Sequence, residues 1–155
     1  MQKVVEKLTK LNKTISTMES CTGGALVNEI TNIEGASNVL KYSAVTYSNE
    51  FKIKMGVAKE TIDKYSVYSL EVAKEMSKQI SLFSDSNYGV GITGKLSRPD
   101  ENNLYGSDNR VFVSIYDNDK DYYHTITIDV NKKSRRENKQ IIISIIVNTL
   151  ISLIE

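Results

Sequence analysis

The chain opens on a helical period. Val4, Val5, Leu8 and Leu11 recur three and four positions apart with polar residues between them, the spacing of one helical face that ends near "LNK". "TISTM" (14–18) then predicts a short strand, and beyond a glycine turn a helix runs from about Thr22 to Asn32. "KYSAVTYS" (41–48) predicts a second strand. From the cap residue Ser69, "SLEVAKEMSKQISLF" predicts a helix with Val72, Ala73, Met76, Ile80 and Phe83 turned inward. "NYGVGIT" (87–93) predicts a buried strand, and "RVFVSIYD" and "YYHTITIDV" on either side of "NDKD" predict a hairpin. The apolar tail closes the chain as a helix.

Helices alternate with strands over the first two thirds and a hairpin follows. This order predicts an α/β fold, three-layer α/β/α, with a mixed, largely parallel sheet plus a C-terminal hairpin and helix. With no internal repeat, linker or second zone of composition, residues 1–155 are expected to form one domain. In such folds sites gather at the carboxyl ends of strands, where the next helix begins.

The tail "IIISIIVNTLISLI", Ile141 to Ile154, is the one membrane-like segment. It falls short of the roughly 20 residues that span a bilayer, and Ser144, Asn148 and Ser152 form a polar stripe at every fourth position. It therefore reads as a buried helix. Nearly every other position is apolar, more than one core-facing stripe covers, and the surplus predicts a homo-oligomer formed through this helix.

Charge and cysteine content narrow the setting. Twenty Lys and Arg against nineteen Asp and Glu leave a formal charge of +1, so no overall field draws the protein to nucleic acid or to a membrane, and any anion site is local. Cys21 is the only cysteine, which excludes an internal disulfide, and "MQKVVEKLTK" lacks the apolar core of a signal peptide. A cytoplasmic protein is expected.

Several motifs fail on context. "GVGITG" (89–94) matches G-x-G-x-x-G and, with Lys95, G-x-x-x-x-G-K. Both motifs need a helix to open straight after the glycines so that its N-terminus meets phosphate, whereas here the chain continues into the loop "LSRPDENN". A buried strand of small residues is the simpler reading. His124 and Cys21 are single of their kinds, so no metal-ligand spacing exists, and a Cys21–His124 nucleophile pair is weaker than a strand histidine and a small turn residue. The run "KKSRRENK" (132–139) puts five cations at the start of the last helix, where the macrodipole disfavours positive charge unless an anion compensates.

"MESCTGG" (18–24) concentrates an acid, hydroxyls, a thiol and two glycines between strand and helix. In one reading Ser20 or Thr22 caps the helix and the glycines allow the turn. In the other Ser20 is a nucleophile, with the amides of Thr22, Gly23 and Gly24 as donors to an oxyanion. A serine needs a base, and lysine can serve when burial lowers its pKa. "VTYSNEFK" (45–52) brings Tyr47, Asn49 and Lys52 off the second strand toward the same sheet edge as Ser20.

These residues carry a resemblance. "ESCTGG", "TNIEGAS", "VTYSNEFKIKMGV" and "TIDKYSVYSLEVAKEMSKQ" resemble the nicotinamide mononucleotide deamidases, the family of the C-terminal domain of the competence/damage-inducible protein CinA, in a stand-alone form. The resemblance implies hydrolysis of the carboxamide of nicotinamide mononucleotide to nicotinic acid mononucleotide and ammonia, with no metal or other cofactor. Carried over by position, Ser20 matches the serine nucleophile, Lys52 the lysine base and Tyr47 the active-site tyrosine. Cys21, Thr22, Gly23, Gly24, Asn49, Thr93 and Gly94 fall in the matching substrate-binding motifs. Arg135 and Lys139 match the family's arginines before and within the final helix, which makes them the expected phosphate ligands. Glu19 could hold the turn or pair with Lys52. The chain departs where the family reads T-G-I-A-G-P: here it is "TGKLSRP", with one extra residue and charged replacements. That loop leaves open a nucleotide-binding or regulatory module without turnover, or an amidase for a different phosphorylated amide.

Overall fold

The computed structural model describes residues 1–131 and 134–155. Lys132 and Lys133, the first two cations of the basic run, lie outside the described residues. The chain forms α1 (Gln2–Lys10), β1 (Ile15–Glu19), α2 (Ala25–Thr31), a 3-10 turn (Ala36–Asn38), β2 (Leu40–Val45), α3 (Asn49–Lys54), α4 (Lys59–Tyr65), α5 (Leu70–Ser84), β3 (Tyr88–Gly94), β4 (Arg110–Asp117), β5 (Tyr122–Asp129) and α6 (Arg135–Leu153). The sequence pattern predicts strand as far as Ser48 and neither α3 nor α4, whereas β2 ends at Val45. The two helices are only six and seven residues long, too short for a helical period to establish itself.

The strands lie in the order β2-β1-β3-β4-β5. β1 pairs in parallel with β2 and β3, and the β4–β5 hairpin adds two antiparallel partners on the β3 side. The chain leaves β1 to one side for β2 and then crosses over to the other side for β3. β1 is therefore a topological switch point, and such points leave a crevice beyond the strands' carboxyl ends.

One face of the sheet is covered by α1, α2 and α6. Val4, Leu8, Leu26, Ile30, Ile142, Ile146 and Leu150 pack there against Ile15, Val90, Ile92, Val113 and Ile115. The other face is covered by α4 and α5, where Ile62, Val72, Met76 and Ile80 pack with Met18. Each fully buried aliphatic side chain contributes about 1.5–3 kcal/mol. α6 has its polar stripe of Ser144, Asn148 and Ser152 exposed, as its period predicts. Its final carbonyls are capped from α1, where Lys7 Nζ donates to the carbonyls of Ile151 and Ile154 at 2.8 and 2.7 Å. No helix among the described residues is long and apolar enough to cross a membrane.

Two inward assignments are corrected. Leu11 follows α1 as its C-cap and is exposed, because the helix ends a residue before its face would continue. Phe83 is 66% exposed; in the last turn of α5 it stacks at 5.2 Å on Tyr42 of the edge strand β2 instead of entering the core.

Candidate active site

The carboxyl ends of the three parallel strands set the site. Ser20 follows β1 directly; its amide donates to the Ile92 carbonyl of β3 at 3.0 Å, while the Glu19 carbonyl accepts from the Thr46 amide at 2.8 Å. Sheet hydrogen bonding thus continues past the strand ends and fixes Ser20 between the exits of β2 and β3.

The turn that follows is organised by Glu19, which is fully buried. Its Oε2 accepts from Thr22 Oγ1 at 2.7 Å, from the Gly24 amide at 3.2 Å and from the Leu26 amide at 3.1 Å, and its Oε1 accepts from the Val27 amide at 2.9 Å. A carboxylate is favoured there by the helix dipole and by the unpaired first-turn amides. This corrects the expectation that Ser20 or Thr22 caps α2. The N-cap position is Gly24, in the left-handed region at φ 92°, with no side-chain cap of its own. Gly23 precedes it at φ 61°, so both glycines serve the turn. Of the two roles open to Glu19, holding the turn is the one its hydrogen bonds fill.

The oxyanion donors are corrected as well. The Gly23 amide donates to the Ser20 carbonyl at 3.0 Å and the Gly24 amide to Glu19, so neither is free. Among the described residues the amides of Cys21 and Thr22 donate to no other backbone carbonyl, and they are the donors left beside the hydroxyl.

Lys52 reaches Ser20 from α3, whose N-cap Ser48 accepts from the Phe51 amide at 3.3 Å. The lysine is 2% exposed. Its Nζ donates to Ser20 Oγ at 3.0 Å and to the Thr46 carbonyl at 2.7 Å. Burial lowers its pKa to about 8, with the negative charge of Asp100 acting in the opposite direction. Burial pushes the neighbouring Cys21 thiol up to about 12, so near neutrality it is a neutral wall residue. His124 sits on β5, three places across the sheet from β1, edge-on to Tyr122 at 4.7 Å. The two are not a pair.

Ser20, Cys21, Tyr47, Asn49, Lys52, Gly94 and Arg135 line one cavity of about 710 Å³. Tyr47 is 65% exposed at its rim, where its Oη accepts from Arg135 Nη2 at 3.4 Å. Thr93 does not reach the cavity; its hydroxyl turns to the Val67 carbonyl at 2.9 Å and secures the wall from behind. Thr22, Gly23, Gly24 and Lys139 line an adjoining cleft of about 1160 Å³ between α2 and α6, which Arg135 also borders. Lys139 lies one turn further along α6 than Arg135, beside Gly23, and shares this cleft with it without lining the cavity at Ser20.

The loop after β3 supplies a further wall of the cavity. Asp100 accepts from Tyr68 Oη, from Asn103 Nδ2 at 2.9 Å and from the Asn102 amide at 3.0 Å. These bonds hold its carboxyl below the usual range. Asn49 Nδ2 in turn donates to Asn103 Oδ1 at 3.2 Å and ties the loop to α3. Lys95 is buried with its ammonium 3.1 Å from Asp108 and 5.3 Å from the centre of the Tyr68 ring. The run of charged residues straight after a buried strand was the available signal. The partners, up to 54 residues apart, had none.

Comparison with known proteins agrees with this architecture. The family model of the CinA C-terminal domain matches residues 1–154. A Clostridium botulinum protein named for competence-damage induction is 39% identical over 127 residues, which are 81% of this chain and 31% of that protein. The chain thus spans about a third of the length of the curated relatives it matches. The crystal structure of a competence or damage-inducible protein from Enterobacter asburiae superposes with a TM-score of 0.90 over 99% of this chain and 94% of that one, at 21% identity, a likeness of fold. That of the competence/damage inducible protein CihA from Agrobacterium tumefaciens gives 0.87 over 98% and 92%, at 26% identity. With a sheet, a switch point and a strand-end cavity of this form, and a family model matched almost from end to end, the chain belongs to the CinA C-terminal domain family.

Proposed function

We propose that the chain is an amidohydrolase that converts nicotinamide mononucleotide to nicotinic acid mononucleotide and ammonia through Ser20 and Lys52. The observation that carries this reading is the buried 3.0 Å contact between Lys52 Nζ and Ser20 Oγ, at a lysine whose pKa burial lowers to about 8. A lysine so placed has about a tenth of its amine free at pH 7, far more than an ordinary lysine, as a general base requires. The Thr46 carbonyl holds one N–H of that amine and leaves its lone pair to the serine.

Ser20 Oγ attacks the carboxamide carbon while Lys52 takes the hydroxyl proton. The carbonyl oxygen becomes an oxyanion beside the Cys21 and Thr22 amides. As the C–N bond breaks, the Lys52 ammonium returns the proton to the leaving nitrogen, which departs as ammonia and leaves an acyl-serine. Water, deprotonated by Lys52, then attacks the ester; the acid is released and Ser20 regains its proton. Tyr47 and Asn49 position the substrate, and Arg135 at the rim holds its phosphate. The charged loop supports a second reading, an amidase of the same mechanism acting on a different phosphorylated amide.

Ammonia release from nicotinamide mononucleotide by purified protein tests the first reading, with Ser20→Ala and Lys52→Ala in parallel. Both variants are expected to lose about three or more orders of magnitude in turnover. Near-normal activity in either variant removes that residue from the mechanism. Binding of the nucleotide without release of ammonia marks a binding module instead.

A further inference from the structure

The cavity is lined by four cationic side chains, Lys52, Lys95, Arg98 and Arg135. Two of them are already engaged: Lys52 with Ser20 and Thr46, and Lys95 with Asp108. The other two, Arg98 and Arg135, are exposed at the mouth; Arg135 Nη2 donates to Tyr47 Oη, and among the described residues neither arginine has a carboxylate within ion-pair distance. Glu101, exposed at the same rim, is paired with neither.

Arg98 is held there from both sides. Immediately before it, Ser97, in the left-handed region at φ 67°, accepts at its Oγ from Asn138 Nδ2 at 2.8 Å. Asn138 is fully buried and stands three positions after Arg135 on α6. Two residues after Arg98, Asp100 is fastened by Tyr68 and Asn103. The short segment carrying Arg98 is thus moored to the helical turn that carries Arg135, and both arginines line the same cavity.

We propose that Arg98 is the second arm of an anion clamp, gripping with Arg135 a phosphomonoester on a substrate whose amide lies at Ser20. This rests on the amidase reading and deepens it by naming the residue that selects for phosphate. A phosphomonoester carries a charge near −2 and three acceptor oxygens, enough for two guanidinium forks, whereas a single carboxylate is satisfied by one. Arg98 lies in the divergent loop, so the departure from the family pattern supplies a second exposed cation to the serine cavity, which Lys139 does not line.

The test uses Arg98→Ala and Arg98→Lys in the full chain, with two readouts: ammonia release from nicotinamide mononucleotide and from nicotinamide riboside, and calorimetric binding of ribose 5-phosphate against ribose. Arg98→Ala is expected to raise KM for the nucleotide about tenfold or more, to affect kcat much less, and to shrink discrimination between nucleotide and riboside by a similar factor. Ribose 5-phosphate affinity falls in step, and Arg98→Lys recovers part of it. Equal losses on nucleotide and riboside, or an unaltered ribose 5-phosphate affinity, overturn the clamp while leaving the amidase standing. If the unsubstituted protein releases no ammonia yet loses ribose 5-phosphate affinity on Arg98→Ala, the clamp stands and the amidase reading falls.

Discussion

Lys52 is the residue whose environment decides what it can do. Water would keep its amine protonated at neutral pH, whereas burial lowers the pKa to about 8 and the nearby Asp100 carboxylate draws it partly back up. Only the free amine can accept the Ser20 proton, so kcat/KM is expected to rise with pH through about 8 and then level. Asp100→Asn removes a negative charge that favours the ammonium, and the same limb moves to lower pH. Rates of ammonia release across pH 6 to 10 check both statements, and a limb that moved upward would exclude Lys52 as the titrating base. Glu19 shows the opposite assignment. It neighbours the nucleophile and carries a charge, yet its oxygens all point to the start of α2, so its contribution is to hold the turn on which Ser20 stands.

At the scale of elements, β3 and α5 explain the glycines that imitate a nucleotide motif. A Cβ at Gly89 would lie 1.9 Å from the Ser77 carbonyl oxygen, and one at Gly91 would lie 2.4 Å from that of Ala73. α5 is seated directly on the strand, and Ser77 Oγ passes over it to donate to Ser114 Oγ at 2.8 Å. The small residues serve close approach of helix and sheet. Gly89→Ala is therefore expected to cost about 3 kcal/mol or more, read as a lower midpoint in denaturant unfolding; an unchanged midpoint would mean that α5 sits further from the sheet. The strand, its burial and the failure of the phosphate motif were all legible in "NYGVGIT", since a strand running into a loop cannot present a helix N-terminus.

For the whole molecule, the switch point at β1 and the surface of α6 carry the consequences. The switch point gathers Ser20, Lys52 and the 95–109 loop at one sheet edge although they are spread over some ninety residues of sequence. α6 retains half-buried Ile141, Ile145, Val147, Ile151 and Leu153, apolar surface that one stripe against the sheet does not consume. Burial of this face between copies predicts a sedimentation mass above that of the monomer. Val147→Asp, on the cleft side of the helix, is expected to shift it to the monomer with the helical circular dichroism retained. A monomeric unsubstituted protein at micromolar concentration would leave that face without a subunit partner.

The sequence by itself determined the layers, the hairpin and the tail helix with its polar stripe, because periodicity is a property of neighbouring residues, while the expected pairing of Ser20 with Lys52 came from the resemblance of two motifs to a family. The same resemblance implied that Tyr47, Asn49 and Arg135 share a site, and all three line one cavity with Ser20. Only the tertiary structure decided that Glu19, and neither Ser20 nor Thr22, satisfies the amides of α2, and that Phe83 leaves the core for Tyr42. The same holds for the mooring of the charged loop by Tyr68, Asn103 and Asn138. Each of these depends on which distant groups the sheet order brings within hydrogen-bond reach, and on how far burial shifts a charge, neither of which spacing along the chain encodes.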